Sequence, residues 1–266
     1  MAAVLNIKDL RVHFNDAAQD RFAVDGLSLT MEEGEILGLV GESGCGKTVT
    51  AMSVSGLLPK EKASFSGSIS LDGQEIFSCS DKDMLSILGN KLGVVFQEPM
   101  TSMDPVMRIG PQVEECLKNH SRLSRAERKR RALEALAQVD LPEPERIYRQ
   151  YPHELSGGML QRVMIAAAIV SRPRLLLADE PTTALDVSVQ ADILELLKKL
   201  NRESGMAILL ISHNLNVVRK LCSRVCVMQR GKLVEDRNVE DIFRQPRHPY
   251  TKQLIYAIPG RDKRLV

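Results

Sequence analysis

A glycine-rich loop near the N-terminus ends in a lysine and a hydroxyl residue. It reads Gly-Glu-Ser-Gly-Cys-Gly-Lys-Thr and fits the pattern G-x-x-x-x-G-K-[ST] between an apolar run, Ile36 to Val40, and a helix-like segment. In such a loop backbone N–H groups surround phosphates, Lys47 adds a positive charge, and the Thr48 hydroxyl can bind Mg²⁺. A structural turn is the alternative. The residues predicted to bind a nucleoside triphosphate are Gly41, Glu42, Ser43, Gly44, Cys45, Gly46, Lys47, Thr48 and Val49.

An apolar run that ends in two acidic residues, Leu175 to Glu180, is the second candidate site. A strand over this run would deliver both carboxylates to its C-terminal edge, where an open α/β sheet binds its ligand. Asp179 is predicted to bind Mg²⁺ directly or through water, and Glu180 to polarise an attacking water. An acidic turn after the strand is the alternative.

Composition narrows the class of protein. The 266 residues are 44% hydrophobic with a formal net charge of +2, which indicates a globular chain without a global field for nucleic acid or an anionic membrane. The longest apolar run, Val163 to Val170, is far shorter than the ~20 residues that span a bilayer. We expect a cytosolic chain that does not enter the membrane. The five cysteines form no C-x-x-C pair, so neither a disulfide framework nor a zinc site is predicted.

Hydrophobic periodicity predicts strands alternating with helices, and therefore a parallel sheet with helices on both faces beside an antiparallel pair. A turn is predicted at Asp72-Gly73 and a helix stop at Gly205. A hairpin around Arg230 and Gly231 and a polar tail from about Asp236 are predicted to complete the chain. The predicted strands are Leu5 to Phe14, Val24 to Met31, Glu35 to Val40, Ser66 to Leu71, Leu92 to Phe96, Leu175 to Asp179 and Ala207 to Ile211.

The segment from Met107 to about Gln138 has a helical period, and Ser124 with Glu127 forms a capping-box signature at a second helix. No aromatic residues interleave the basic cluster on this helix, so a solvated face is favoured over a nucleic-acid patch. The cluster consists of Arg125, Arg128, Lys129, Arg130 and Arg131.

The run Leu155-Ser-Gly-Gly-Met-Leu-Gln-Arg162 opens a long apolar helix. With this run, the chain closely resembles the ATP-binding subunits of ABC transporters over nearly its whole length. The resemblance implies that Ser156, Gly157 and Gly158 hold the γ-phosphate of an ATP bound to a second subunit.

The resemblance also implies an α/β fold: a P-loop NTPase (RecA-like) core with an antiparallel β subdomain, an inserted α-helical signature subdomain and a C-terminal tail. The expected boundaries are 1–99 and 172–235 for the core, 100–171 for the helical subdomain and 236–266 for the tail.

The same resemblance assigns roles to further residues. Gln97 would approach Mg²⁺ and the attacking water, and His213 would contact the γ-phosphate. Asp186, in the run Ala184-Leu-Asp, would lie at the seam between two subunits. Phe14 is the candidate for stacking on adenine, with Phe22 as the competitor. The catalytic set is thus Glu180, His213, Gln97 and Lys47, and the metal set is Thr48, Gln97 and Asp179.

Two further runs, Phe96 to Pro105 and Arg247 to Thr251, resemble importer ATPases for oligopeptides, dipeptides and nickel. Leu160 stands where many peptide-importer relatives carry a basic residue, and no cysteine follows Cys226, which favours the nickel or metal-chelate branch. The resemblance implies an ATPase at the cytoplasmic face of the membrane. It would pair head to tail with a like or different ATPase subunit and drive transmembrane permeases served by an extracytoplasmic binding protein.

Two alternatives belong to other classes. An ABC-type ATPase acting on DNA or ribosomes generally has tandem cassettes, coiled-coil insertions or zinc-cysteine modules, and this chain has none of them. A regulatory module that binds ATP without hydrolysing it generally loses the residue matching Glu180 or the one matching His213, and both are present.

Overall fold

The computed structural model describes residues 3–15, 22–59, 61–76, 79–183 and 185–258. The chain divides into two compact units, residues 1–78 with 209–266 (unit 1) and residues 79–208 (unit 2). Within the described ranges, no helix has the length and apolar character needed to cross a membrane.

The described residues form ten strands: β1 (Ala3–Phe14), β2 (Val24–Glu32), β3 (Ile36–Val40), β4 (Ala63–Leu71), β5 (Gln74–Glu75), β6 (Leu92–Val95), β7 (Leu175–Asp179), β8 (Ala207–Ser212), β9 (Arg224–Gln229) and β10 (Lys232–Asn238). They also form eleven α-helices: α1 (Lys47–Val54), α2 (Asp81–Ile87), α3 (Pro99–Ser102), α4 (Ile109–His120), α5 (Arg125–Gln138), α6 (Pro144–Arg149), α7 (Gly157–Ile169), α8 (Val187–Ser204), α9 (Leu215–Leu221), α10 (Val239–Arg244) and α11 (Pro249–Tyr256).

An antiparallel sheet in unit 1 has the strand order β2-β1-β4-β5. Alternation along β1 buries residues such as Leu5 and Ile7, and the strand pairs with β2 on one side and β4 on the other. Asp72 and Gly73 turn the chain between β4 and β5 with positive φ angles of 50° and 76°. The predicted antiparallel pair and the Asp72-Gly73 turn are therefore confirmed.

The second sheet of unit 1 contains β3, which is buried along its whole length. It pairs in parallel with β9, and β9 pairs antiparallel with β10 through a turn at Arg230 and Gly231. The predicted hairpin is confirmed. All five residues of β3 are apolar or glycine and buried, as expected for a strand that helices cover on both faces.

In unit 2, β6 and β7 pair in parallel, and helices α4, α5 and α7 pack against one another. The capping box at the start of α5 is confirmed: the Ser124 side chain accepts from the Glu127 amide, and the Glu127 carboxylate accepts from the Ser124 amide. Gly205 ends α8 in a left-handed conformation with φ 69°, where the sequence predicts the helix stop.

The prediction of a polar tail from Asp236 is wrong for the described residues. Strand β10 continues to Asn238, whose side chain caps α10, and α11 follows after Pro249. The segment is held against β10 by a buried carboxylate of that strand. The carboxylate of Glu235, 7% exposed, accepts hydrogen bonds from the backbone amides of Arg247 and His248.

Candidate functional site

The glycine-rich loop connects the buried strand β3 to the first residue of α1 in unit 1. Gly46 precedes the helix with φ 109°, and a Cβ there would lie 2.5 Å from the carbonyl oxygen of Ala23. Both the angle and the close approach require glycine. The loop thereby turns directly into a helix N-terminus, where free backbone amides favour an anion.

Lys47 is the most constrained side chain of the loop. It is 6% exposed, and its Nζ donates to the carbonyl oxygens of Gly41 at 2.8 Å and Glu42 at 2.9 Å. The ammonium group is thus held inside the curve of the loop by two backbone carbonyls. A positive charge in this position adds to the attraction that the helix N-terminus exerts on phosphate.

The remaining residues of the loop differ in exposure. Glu42, Ser43 and Gly44 are exposed at its tip, Thr48 is exposed on the first turn of α1, and Val49 is half-buried. Thr48 is therefore at the surface of the helix start.

The thiol of Cys45 is less reactive than its neighbours in sequence suggest. We expect a reactive thiolate at a helix N-terminus two residues from a lysine, and this expectation is wrong. Cys45 is 5% exposed, and burial raises the pKa of its thiol above the ordinary value, although the positive charge of Lys47 acts in the opposite direction. Burial dominates because removing a thiolate from water costs more than one nearby charge returns here.

Two predicted catalytic residues meet in unit 2. The side-chain amide of Gln97 donates to Oε2 of Glu180 at 3.3 Å, and the hydroxyl of Thr183 donates to the same oxygen at 2.9 Å. Glu180 follows the end of β7 with φ 46°, a left-handed conformation that non-glycine residues rarely adopt. Asp179, the last residue of β7, is half-buried. The acidic pair therefore lies at the C-terminal end of a buried parallel strand, as predicted.

The run around Ser156 forms the start of α7 in unit 2. The Ser156 hydroxyl accepts from the amide of Met159 at 3.4 Å and caps the helix, and Gly157 is exposed. A Cβ on Gly158 would lie 2.8 Å from Cγ1 of Val189, so only glycine allows the start of α7 to approach α8 this closely. Ser156 and Gly157 are thus exposed residues at a helix N-terminus, a position that suits an anion.

Asp186 caps α8. Its Oδ1 accepts from the amides of Ser188 at 3.1 Å and Val189 at 3.0 Å, and the hydrogen bond from the Val189 amide is the main cause of its lowered pKa. The carboxylate is exposed and ionised, so it carries charge at the surface while it holds the start of α8.

His213 is exposed and follows the end of β8, immediately before the residue that caps α9. The two aromatic candidates differ in surroundings. Phe14 is half-buried at the end of β1, whereas Phe22 is 39% exposed, and its backbone adjoins Ala23, whose carbonyl contacts Gly46. The Phe22 ring lies edge-on to the imidazole of His13, with ring centroids 5.8 Å apart, so Phe14 and Phe22 both stay candidates for stacking on adenine.

One residue that contacts the loop is absent from the predicted site. The hydroxyl of Tyr250, in α11, accepts a hydrogen bond from the amide of Glu42 at 2.9 Å. These residues are 208 positions apart, and no local pattern connects them. The only available signal is the run Arg247 to Thr251, which the resemblance singled out without giving it a role.

Comparison with known proteins identifies the family to which the chain belongs. The model of the ABC transporter family matches residues 24–183, which include the glycine-rich loop, the run around Ser156 and the acidic end of β7. The chain therefore belongs to the ABC transporter family, as an ATP-binding subunit of that class and an ATPase.

Similar sequences indicate which members of this family the chain resembles. The chain is 45% identical over 261 residues to a probable peptide ABC transporter ATP-binding protein of Sinorhizobium fredii, covering 98% of this chain and 78% of the relative. It is 45% identical over 260 residues to an oligopeptide transport ATP-binding protein of Escherichia coli, with 98% and 77% covered. These comparisons give no support to an ATPase acting on DNA or ribosomes.

Two solved structures have the same fold. The first is a dimeric structure of a post-hydrolysis state of the ATP-binding cassette MJ0796 bound to ADP and Pi. It is 31% identical, with a TM-score of 0.78, over 88% of this chain and 98% of that one. The second is cbiO1 from Clostridium perfringens, described as part of an ABC transporter complex. It is 27% identical, with a TM-score of 0.79, over 92% of each chain. The expected class of fold is therefore confirmed.

Proposed function

We propose that the loop Gly41 to Thr48 binds the phosphates of ATP and that the chain hydrolyses the γ-phosphate to drive the uptake of peptides. The observation that carries this proposal is the position of Lys47, a nearly buried cation held by two loop carbonyls at a helix N-terminus. Phosphoryl transfer depends mainly on charge neutralisation and positioning, and this loop provides both.

Glu180 is the proposed group that polarises the attacking water. Its hydrogen bonds from Gln97 and Thr183 fix the carboxylate on a backbone that is itself in an uncommon conformation. A fixed carboxylate can accept a proton from water without first reorganising. Gln97 orients this carboxylate, and His213 is proposed to contact the γ-phosphate.

Mg²⁺ is proposed to bind with the nucleotide. The residues that would hold it, Thr48, Gln97 and Asp179, supply a hydroxyl, an amide oxygen and a carboxylate, which are the hard oxygen donors that Mg²⁺ prefers. Thr48 is an exposed residue and Asp179 is the last residue of β7, and each supplies an oxygen donor of this kind. When bound, the ion would neutralise phosphate charge.

The working form is proposed to be a head-to-tail pair. In it, Ser156, Gly157 and Gly158 of one subunit would contact the ATP held by the loop of the other. The support is the pair of exposed helix-start residues in α7, together with the dimeric state of the related MJ0796 cassette. Asp186, charged and exposed beside them, is proposed to lie at the seam.

Peptides are the proposed cargo because two of the relatives are named for peptide and oligopeptide transport. The partners would be transmembrane permeases, a second ATPase subunit and, indirectly, an extracytoplasmic binding protein. The subunit would therefore work at the cytoplasmic face of the membrane. Nickel uptake stays a prediction. It is favoured by Leu160, which stands where many peptide importers carry a basic residue.

The test is uptake in cells that lack the gene for this chain. Labelled di- and oligopeptides and radioactive nickel would be offered in parallel, with the wild-type gene or Glu180→Gln returned on a plasmid. We expect peptide uptake to be lost, restored by the wild type and left absent by Glu180→Gln. Restored nickel uptake with unchanged peptide uptake would overturn the proposed cargo. Full activity of the Glu180→Gln gene would overturn the proposed mechanism.

A further inference from the structure

A single peptide group in the phosphate loop is held at both of its ends. The carbonyl of the Gly41–Glu42 peptide accepts from Nζ of Lys47 at 2.8 Å, and its N–H donates to the hydroxyl of Tyr250 at 2.9 Å. A peptide plane with one partner can rotate about its flanking bonds, whereas a plane held through both its carbonyl and its N–H has a fixed orientation. Tyr250 therefore contributes to the position in which Lys47 is held.

The Tyr250 hydroxyl is itself rigidly placed. Tyr250 is 4% exposed, and its backbone amide donates to Nδ1 of His248 at 3.2 Å, which caps α11. The preceding turn is anchored to β10, because Glu235 accepts from the amides of Arg247 and His248, each at 3.0 Å. Burial raises the pKa of Tyr250, so the hydroxyl stays neutral and its oxygen remains an acceptor at physiological pH.

The loop has another anchor on the same C-terminal segment. The amide of Gly231, in the β9–β10 turn, donates to the carbonyl of Cys45 at 3.0 Å. A Cβ on Gly41 would lie 2.3 Å from the carbonyl oxygen of Met228, so β9 also closes one side of the loop. The Tyr250 contact is a hydrogen bond from the loop to a side chain, and Tyr250→Phe removes it without altering the backbone.

We infer that Tyr250 is a positioning residue for ATP binding: its hydroxyl holds the Gly41–Glu42 peptide in the orientation that presents the carbonyl to Lys47. The C-terminal helix α11 thereby supports the nucleotide site through the loop. This inference rests on the proposed role of the loop in binding ATP.

The test compares Tyr250→Phe with Tyr256→Phe. Both substitutions remove one hydroxyl from α11, but Tyr256 is 50% exposed and serves as the matched control. For Tyr250→Phe we expect the KM and the Kd for ATP to rise roughly three- to tenfold, as for the loss of one hydrogen bond, with kcat within about twofold. For Tyr256→Phe we expect no change in either constant.

Hydrogen exchange supplies a readout that does not depend on activity. We expect the peptide that contains Glu42 to exchange faster in Tyr250→Phe than in the wild type, with no such change in Tyr256→Phe. An unchanged KM and unchanged exchange in Tyr250→Phe would overturn the inference. So would a fall in kcat and thermal stability with no rise in KM, since that would indicate a purely structural role.

Lys47→Ala distinguishes a failure of the proposed function of the loop from a failure of the inference about Tyr250. If Lys47→Ala binds ATP as tightly as the wild type, the proposed function of the loop fails. If Lys47→Ala loses binding but Tyr250→Phe retains it fully, only the inference about Tyr250 fails.

Discussion

The side-chain amide of Gln97 donates to Glu180, with 3.3 Å between Nε2 and Oε2. Because the carboxylate is oriented by its neighbours, Glu180→Gln should keep the shape of the site while removing the group that polarises water. We expect ATP binding to persist and turnover to fall by at least ~10²-fold. Phosphate release and size-exclusion chromatography with ATP would measure both. Near wild-type turnover would contradict the assigned role of Glu180.

The exposed start of α7 leads to a prediction about pairing. Ser156→Arg should abolish hydrolysis and leave the ATP affinity of the isolated chain unchanged, because bulk and charge there would block a partner's nucleotide. Mixing Ser156→Arg with Lys47→Ala should restore part of the activity, since one of the two composite sites in such a pair is intact. Phosphate release from the mixture is the measurement, and no recovery would contradict the head-to-tail arrangement.

Cys45 should react slowly with maleimide, because it is buried and its thiol pKa is raised. At pH 7.5 we expect Cys79, which is partly exposed, to be labelled first. A thiol with a raised pKa gains thiolate only at higher pH, so labelling of Cys45 should keep increasing through pH 9. Peptide mapping across a pH series checks this. Faster labelling of Cys45 than of Cys79 at pH 7.5 would refute the burial argument.

The basic cluster on α5 contains one structural arginine. Arg128 donates to the carbonyl of Leu123 at 2.8 Å and lies 3.6 Å from Glu114, a carboxylate with a side chain only 12% exposed. Arg128→Met should therefore lower the free energy of unfolding by about 1–3 kcal/mol. Arg130 is the matched control, because its side chain is 62% exposed, and Arg130→Met should change stability by less than about 0.5 kcal/mol. Denaturant unfolding measures both values; equal effects would contradict the distinction.

Glu235 makes stability depend on pH. Burial raises its pKa, but the amides of His248 and Arg247 outweigh this with their hydrogen bonds and leave the pKa below the ordinary value of 4.5. A lowered folded-state pKa contributes stability that is present above that value and is lost as pH falls through the folded pKa. Glu235→Gln should therefore melt below the wild type at pH 7, and the difference should shrink below about pH 4.5. A constant difference in melting temperature across this range would contradict the charge-based account.

Local patterns were sufficient for most of the elements. The alternation in β1, the capping box at Ser124 and the stop at Gly205 each depend on residues within a few positions, and the structure has them where the pattern predicts. The acidic end of β7 was likewise predictable, because an apolar run followed by two carboxylates has few other arrangements.

Contacts between distant residues account for what the sequence did not show. Cys45 looks activated beside Lys47, yet its burial depends on how the loop packs. No local pattern marks Glu235 as a buried anchor, because its partners are the backbone amides of Arg247 and His248, which carry no side-chain signal. Tyr250 reaches Glu42 across 208 positions, which only the folded chain reveals.

The close approach of Gly158 to Val189 has a consequence for association. Ser156 caps α7 and Asp186 caps α8, and the Val189 side chain in the first turn of α8 packs directly on Gly158 in the first turn of α7. The spacing of the hydroxyl and the carboxylate is therefore set before any partner arrives. A second subunit that contacts both would meet a pre-organised surface, and little conformational entropy would be lost there on pairing.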